Sequence, residues 1–275
     1  MKIITIIQAR TGSSRLPGKT LMPLAGKTVL ARMVERVLAS QLAGETVVAT
    51  TTEKEDDAIE QLCIKENFKY YRGHPTDLLD RHYSAALFYG ADAVVKIPSD
   101  CPLISASVVD KVLKYYLMHQ DKFDYVSNLH PATYPDGNDV EIMPMEILEI
   151  AHRQAKKNFE REHTTPYIWE NPARFRIGNV EWETGLDFSM SQRWTLDYIE
   201  DYNFIKRVYE ELYPKNPEFD LRDIIRLLAE KEELLDINSK YAGVNWYRNH
   251  LTELKTVGVS QTKLMDLKLQ NRANI

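Results

Sequence analysis

The stretch QARTGSSRLPGKT, Gln8–Thr20, follows the apolar run Ile3–Ile7 and ends in Gly-Lys-Thr. Those three residues close a Walker-type phosphate loop, which needs a glycine, four residues, then Gly-Lys-Ser/Thr opening a helix. Counting back from Gly18 puts Ser13 where the first glycine belongs, and for the second Gly-Lys-Thr, Gly26–Thr28, that place is held by Leu21. Pro23 and Gly26 also separate Lys19 from the next amphipathic run, so the helix is expected near Thr28 and not at the lysine. The P-loop reading fails on spacing. The chemistry of a polyanion site survives it: Gly12 and Gly18 let backbone N–H groups approach phosphate oxygens, and Arg10, Arg15 and Lys19 add charge-assisted donors. Residues 1–34 carry Lys2, Arg10, Arg15, Lys19, Lys27 and Arg32 and no acidic residue. That excess suits a compact triphosphate; an ordinary βα loop with solvated basic residues is the alternative.

Other stretches carry carboxylates. In KIPSDCPLIS, Lys96–Ser105, Asp100 lies just past an apolar strand. A carboxylate there can hold Mg²⁺ against a phosphate, since Mg²⁺ prefers hard oxygen ligands and keeps several waters. A helix N-terminal Asp is the alternative. In YPDGNDVEI, Tyr134–Ile142, a turn at Asp136-Gly137 leads into an expected strand with Asp139 and Glu141 on one face. Asp77 and Arg81 stand i,i+4 on a helix and read as an ion pair, and Asp80 beside them carries no special role. The histidines form no metal-ligand spacing.

The elements that must position these residues alternate. Ile3–Ile7, Thr46–Thr51, the short Phe68–Tyr71, Ala93–Ile97 and a run beginning at Asp124 read as strands. Thr28–Ala39, Asp56–Lys65, Asp77–Tyr89 and Ser107–His119 read as helices between them. This rhythm predicts an α/β domain with a mainly parallel sheet, whose ligand loops leave the carboxyl ends of the strands. Beyond residue 130 it breaks into a Pro- and Gly-punctuated stretch, a β-like Arg174–Trp182, and helices at Ile199–Leu212, Leu221–Glu230 and, more weakly, Tyr247–Leu254. The expected organisation is one domain over 1–255, with 130–190 as a distinct subregion, and a C-terminal tail at 256–275.

At 275 residues and 44% hydrophobic, the chain can bury a full core. Its longest apolar runs are strand-sized and no secretory leader is evident, so membrane spanning and secretion are not expected and the cytosol is. Cys63 and Cys101 lie far apart, which excludes a disulfide scaffold or zinc ribbon. A net charge of −5 leaves no global basic field for nucleic acid.

The run QARTGSSRLPGKTLMPLAGKTVL, Gln8–Leu30, resembles the opening of the cytidylyltransferases that activate acidic sugars. These include the CMP-sialic acid and CMP-Kdo (3-deoxy-manno-octulosonate) synthetases, and the likeness is nearest to the spore-coat polysaccharide biosynthesis protein F group. It continues in pieces to about Asn249: YRGHPTDLLDRHYSAA, SDCPL, DGNDVE, REHTTPYIWENPARF, RWTLDYIED and YAGVNWYRNH. Two residues depart from the family's usual forms, Ser99 in place of a glycine and Ile199 in place of a proline, while Asn138 fills a position that is variable in the family.

The resemblance implies a Rossmann-like, GT-A-like nucleotidyltransferase: a three-layer sandwich with a mainly parallel mixed sheet and a mostly helical C-terminal part. It implies CMP transfer from CTP to the anomeric hydroxyl of a 2-keto sugar acid, with pyrophosphate released, Mg²⁺ as cofactor and a homodimer as the assembly, with 130–190 as the substrate and dimerisation subregion. Gln8, Ala9, Arg10, Gly12, Ser14, Arg15 and Lys19 would surround the nucleotide, together with Arg72, Gly73 and Ser99. Asp100 and Asp197 would be the metal ligands and, with Arg10 and Lys19, the catalytic set. Asp197 could equally be a helix N-cap with Glu200 at N3. Asp139, Glu141, Arg161, His163 and Arg193 would face the sugar, Arg161 and His163 through its carboxylate; His163 could instead be an interface histidine. Trp246 and Tyr247 are expected to pack the C-terminal helix on the core. Three rivals stay open. One is a glycosyltransferase that consumes a nucleotide-sugar, although the Asp-x-Asp such enzymes commonly use is absent from the sequence. The others are a cytidylyltransferase acting on a non-sugar acid or phosphonate, and a non-catalytic nucleotide-binding relative.

Overall fold

A computed structural model describes residues 1–264. Ile4, Ile6 and Ile7 have no solvent exposure, so β1 (Ile3–Gln8) must be covered on both faces and take a central place in the sheet. It pairs in parallel with β4 (Glu45–Thr51) on one side and β6 (Ala93–Pro98) on the other, and β5 (Lys69–Gly73) extends the β4 side. Before β4, a small hairpin of β2 (Pro23–Leu24) and β3 (Lys27–Thr28) stands apart. Beyond β6 the sheet becomes mixed: β8 (Glu141–Pro144) runs antiparallel to β6 and to β7 (Tyr125–Ser127), and β9 (Ile177–Asn179) runs parallel to β7. The strand order is therefore β5-β4-β1-β6-β8-β7-β9. After β5 the chain crosses to the other side of β1, and that reversal opens a crevice at the carboxyl ends of β1 and β6.

Helices cover both faces. α1 (Val29–Leu38), α2 (Asp57–Glu66) and α4 (Ala106–Met118) bury Leu30, Val34, Ile59 and Val112 against one side. On the other, α3 (Leu78–Phe88), α5 (Met145–Gln154), α6 (Asn158–His163) and α7 (Pro166–Trp169) bury Leu79, Leu148, Phe159 and Ile168. α8 (Ile199–Leu212) and α9 (Leu221–Glu230) build a third cluster around the fully buried Trp194. The expected three-layer α/β/α sandwich with a helical C-terminal part is the fold observed. α1 starts where its apolar stripe predicts, with the Thr28 hydroxyl accepting from Ala31 N at 3.2 Å.

Three expected elements differ. The strand through Asp139 begins only at Glu141, because Asn128 takes the place of a ladder partner: its amide donates to Asn138 O and accepts from Val140 N. The β-like run Arg174–Trp182 pairs only over Ile177–Asn179. Tyr247–Leu254 is no α-helix: a 3₁₀ turn spans Trp246–Asn249, opened by the Asn245 side chain accepting from Tyr247 N at 3.1 Å. The chain past residue 255 is also no loose tail where it is described, since Val257 is 6% exposed within the core. The end of the expected tail, 265–275, lies outside the described residues. Among the described residues no helix is long and apolar enough to cross a membrane.

Candidate functional site

A cleft of about 740 Å³ occupies the crevice at the carboxyl ends of β1 and β6. The loop leaving β1 is rooted by Ala9, whose N–H donates to Ala49 O at 3.0 Å, so Ala9 supports the site from within the core. Thr11 fixes the next turn, donating through its N–H and hydroxyl to Asp56 Oδ1, both at 2.7 Å. The loop then folds on itself, with Ser13 N and Gly18 N donating to Thr11 O. Gly18 closes it at φ 71°, where a side chain is strained. Gly12 sits exposed, with open space around its Cα. Gln8, Arg10, Ser14, Arg15 and Lys19 line the cleft, and Ser99 and Asp100 line it from the loop after β6. Arg10 makes no ion pair among the described residues.

Two carboxylates meet at Lys19. Its Nζ lies 3.0 Å from Asp197 Oδ1 and 3.7 Å from Asp100 Oδ2, and donates to Leu196 O at 2.5 Å. Arg15 Nη2 reaches the same Asp197 oxygen at 2.5 Å. Asp197 Oδ2 accepts from Arg193 Nη2 at 3.0 Å. Burial alone would raise the Asp197 pKa, but Lys19, Arg15 and Arg193 override it and hold the carboxyl far below its usual range. Burial likewise opposes the charge on Lys19, and the two aspartates reverse the sign, so it stays an ammonium.

The capping alternative for Asp197 is corrected by geometry. Tyr198 is the N-cap of α8, and it is Asp201 whose Oδ2 accepts from Tyr198 N and Asp197 N, each at 2.9 Å. Asp197, relieved of capping, lines the cleft with its oxygens held by Lys19, Arg15 and Arg193. Ile199 is 48% exposed at the first turn of α8, so its departure from the family's proline stays outside the site.

Arg193 lines the cleft but its guanidinium is spent on the protein. It donates to Asp201 Oδ1 at 3.0 Å, to Asp136 Oδ2 at 3.4 Å and to Val244 O at 2.7 Å, besides Asp197. It acts as a hub that fixes the loops. Glu141 is similarly occupied: Lys96 Nζ donates to Oε1 and Tyr125 Oη to Oε2 at 2.6 Å. Burial pushes its pKa up, Lys96 pulls harder, and the net is lowered. Asp139 has no such cation in contact; burial first and the like charge of Asp100 next push it up to about 6.

Other expected site residues are not brought in. Arg72 is held by Asp57 at 2.7 Å and Glu60 at 2.6 Å, beside the edge strand and away from the cleft. Gly73 gives room to neighbours and not to a ligand, since a Cβ there would meet Tyr71 at 2.8 Å. Arg161 grips Asp77 at 2.5 Å and His152 O at 2.6 Å, so it is not free for a sugar carboxylate. The Asp77–Arg81 pair is absent for the same reason; Arg81 instead donates to His74 O and Pro75 O. His163 does line the cleft, yet burial first and then Lys96 and His250 lower its pKa to about 3. Its surroundings favour the neutral imidazole.

The sequence reading missed Lys96, Asp136 and the wall formed by residues 244–250. Lys96 had a signal: a lysine inside the apolar strand AVVKI must find a partner when buried. Asp136 was legible only as a turn residue, because its role depends on Arg193, distant in sequence.

A hard cation fits the pair Asp100 and Asp197. Their carboxylates already flank one positive centre, the Lys19 ammonium. Among the described residues no set of three or more His, Cys, Asp or Glu side chains is grouped to hold a metal. A cation here would take two carboxylate ligands and complete its shell with water and phosphate oxygens, as Mg²⁺ does.

With that geometry in hand, comparison with known proteins is specific. A sequence profile of the cytidylyltransferase family matches residues 4–227. The chain is 38% identical to an uncharacterized protein of Methanocaldococcus jannaschii over 87% of its own length and 95% of the other's. It is 31% identical to the spore coat polysaccharide biosynthesis protein SpsF of Bacillus subtilis, over 82% and 93%. A cytidylyltransferase structure from Leptospira borgpetersenii superposes with a TM-score of 0.80 at 34% identity, covering 86% of this chain and 97% of that one. The CTP complex of CMP:2-keto-3-deoxy-manno-octonic acid synthetase shares the fold, with a TM-score of 0.61 at 18% identity over 77% of this chain and 100% of that one.

Proposed function

The chain belongs to the cytidylyltransferase family and is a CTP-dependent nucleotidyltransferase, and from that premise we propose that its acceptor is a 2-keto sugar acid of the Kdo or sialic type. The anomeric hydroxyl attacks the α-phosphorus of CTP in line and gives up its proton to water; the new O–P bond gives the CMP-sugar, and the bond to the β-phosphate oxygen breaks to release pyrophosphate. The observation that carries the nucleotidyl-transfer step is the juxtaposition of Lys19 with Asp100 and Asp197, in a cleft also lined by Arg10 and Arg15. Arg10, Arg15 and Lys19 neutralise the charge that builds on the departing pyrophosphate. Asp100 and Asp197 are the residues that would hold Mg²⁺, which when bound polarises the α-phosphate. Arg193 and Asp201 keep the Asp197 carboxylate aimed into the cleft.

The role of the relative SpsF in spore coat polysaccharide biosynthesis supports a cell-surface sugar as the acceptor. We place the reaction in the cytosol, which suits the free, buried Cys63 and Cys101. Two copies would pair through residues 130–190, where Leu186 and Met190 are exposed apolar side chains; a protomer-sized mass by light scattering would count against that pairing.

The reaction is tested by pyrophosphate release with Mg²⁺, crossing the four ribonucleoside triphosphates with Kdo, sialic, legionaminic and pseudaminic acids. Release that needs CTP and one acid, and that collapses in Asp100→Asn, is the expected result. Silence across the panel with CTP still bound by calorimetry would move the acceptor to a non-sugar acid.

A further inference from the structure

The chain returns to the cleft after the part that the family profile matches, residues 4–227, and there it builds a wall. Val244, Asn245, Trp246, Tyr247, Asn249 and His250 all line the cleft. The segment is pinned. Val244 O accepts from Arg193 Nη1 at 2.7 Å, Asn245 Nδ2 donates to Gln261 O at 2.8 Å, and Lys263 N donates to Gly243 O at 2.7 Å. Farther along, Lys255 N and Thr256 N donate to the Glu170 carboxylate at 2.6 and 2.9 Å.

The wall is aromatic with a polar rim. The Trp246 and His163 rings lie parallel, with centroids 3.8 Å apart and planes at 14°, and Tyr247 stands edge-on to Trp246 at 4.7 Å. Trp246 remains only half-buried and Asn249 is exposed. His163 is delivered to this stack by a tight turn in which Thr165 N donates to His163 O at 2.9 Å, centred on Thr164 at φ 73° and ψ −52°. That conformation is strained for a β-branched residue and persists only where the surroundings impose it. Burial first, then Glu141 and Asp139, raise the Tyr247 pKa, so the wall adjoins the acidic residues expected at the acceptor.

A sugar ring offers apolar C–H on its faces and hydroxyls at its rim, and an aromatic face bordered by amides matches both. We propose that residues 244–250, with Ser260 and Gln261, form the acceptor subsite, with Trp246 as the platform for the sugar ring and Asn249 as a contact to its hydroxyls. Acceptor choice is then set by this C-terminal segment, while the loop after β1 handles the triphosphate. Arg193 ties the two together, because it holds both Val244 O and the Asp197 carboxylate. The inference rests on the reading of the acceptor as a sugar acid.

The test uses the full chain and three variants, Trp246→Leu, Trp246→Phe and Asn249→Ala. Each is assayed for pyrophosphate release with the acid that the wild type consumes, for CTP affinity by calorimetry and for thermal melting. The expected result is an acceptor KM raised about ten-fold in Trp246→Leu and about three-fold in Asn249→Ala, with CTP affinity within about two-fold of wild type. Trp246→Phe keeps an aromatic face and should stay within about three-fold of wild type. If Trp246→Leu fails to fold, the exposed Asn249→Ala decides. An acceptor KM unchanged in Asn249→Ala and in a folded Trp246→Leu, or one that rises only together with the CTP dissociation constant, overturns the subsite and leaves the sugar-acid reading standing. A wild type that consumes none of the acids overturns both.

Discussion

Asp197 is gripped by three cations, Lys19, Arg15 and Arg193, two of them buried with it. Its carboxyl titrates far below the usual range in the folded chain, so its contribution to stability is present above the unfolded pKa of about 4 and is lost as the pH falls. Asp197→Asn should therefore flatten the acid limb of the stability profile. At pH 7 it should lower stability by about 3 kcal/mol, since it leaves buried cations unpaired; urea melts across pH measure both. Asp139 runs the other way. With its folded pKa up at about 6, it costs stability progressively as the pH rises from about 4 to 6. Asp139→Asn should melt higher than wild type at pH 7.5 and gain nothing at pH 4. For turnover, Lys19→Met removes the ammonium between the two aspartates and should lower kcat/KM for CTP by roughly 10²–10³-fold in the pyrophosphate assay.

Between elements, the site depends on how closely two loops approach. Asp136 N donates to Gln192 O at 3.0 Å and Trp194 N returns the bond to Asp136 O at 2.7 Å. Gly137 makes that approach possible: it sits at φ 108°, and a Cβ would meet Thr195 N and Trp194 C at 2.8 Å. Gly137→Ala should cost roughly 3 kcal/mol in denaturant unfolding and weaken CTP binding, because pushing the loops apart displaces Arg193 and with it Asp197. The helix starts show how far local rules reach. Thr28 caps α1 as its position before an apolar stripe predicts. At α8 local rules point to Asp197 as the cap, and the start moves to Tyr198 because the Asp201 carboxylate at N3 accepts from Tyr198 N while also satisfying Arg193 and Asn238.

Across the whole molecule, the C-terminal segment is joined to the sandwich by a buried carboxylate and by packing. Glu170 is 4% exposed and accepts from Lys255 N, Thr256 N and Thr256 Oγ1, and Val257 packs into the cluster that holds Phe159 and Leu254. Deleting residues 256–275 strips the Glu170 carboxylate of the Thr256 donors and opens an apolar gap. The truncated chain should lose about 2–4 kcal/mol of stability, read as a fall in Tm, and its acceptor KM should rise more than its KM for CTP.

The sequence by itself determined the sandwich and the nucleotide end of the cleft. Strand-helix alternation and the two-sided burial of Ile3–Ile7 are local or periodic properties, and Arg10, Arg15, Lys19 and Asp100 sit on loops whose place at the sheet's carboxyl edge follows from them. Tertiary structure alone decided which polar residues are available to a ligand. Arg72, Arg161 and Arg193 have the same chemistry as Arg10, yet each is consumed by carboxylates or carbonyls, most of them far off in the chain, and His163 is made neutral by burial. It also decided that Trp246 and Tyr247, which pack against the core as their sequence suggests, line the cleft as well. Pairing partners and desolvation are set by what the fold brings together, and no window of neighbouring residues contains them.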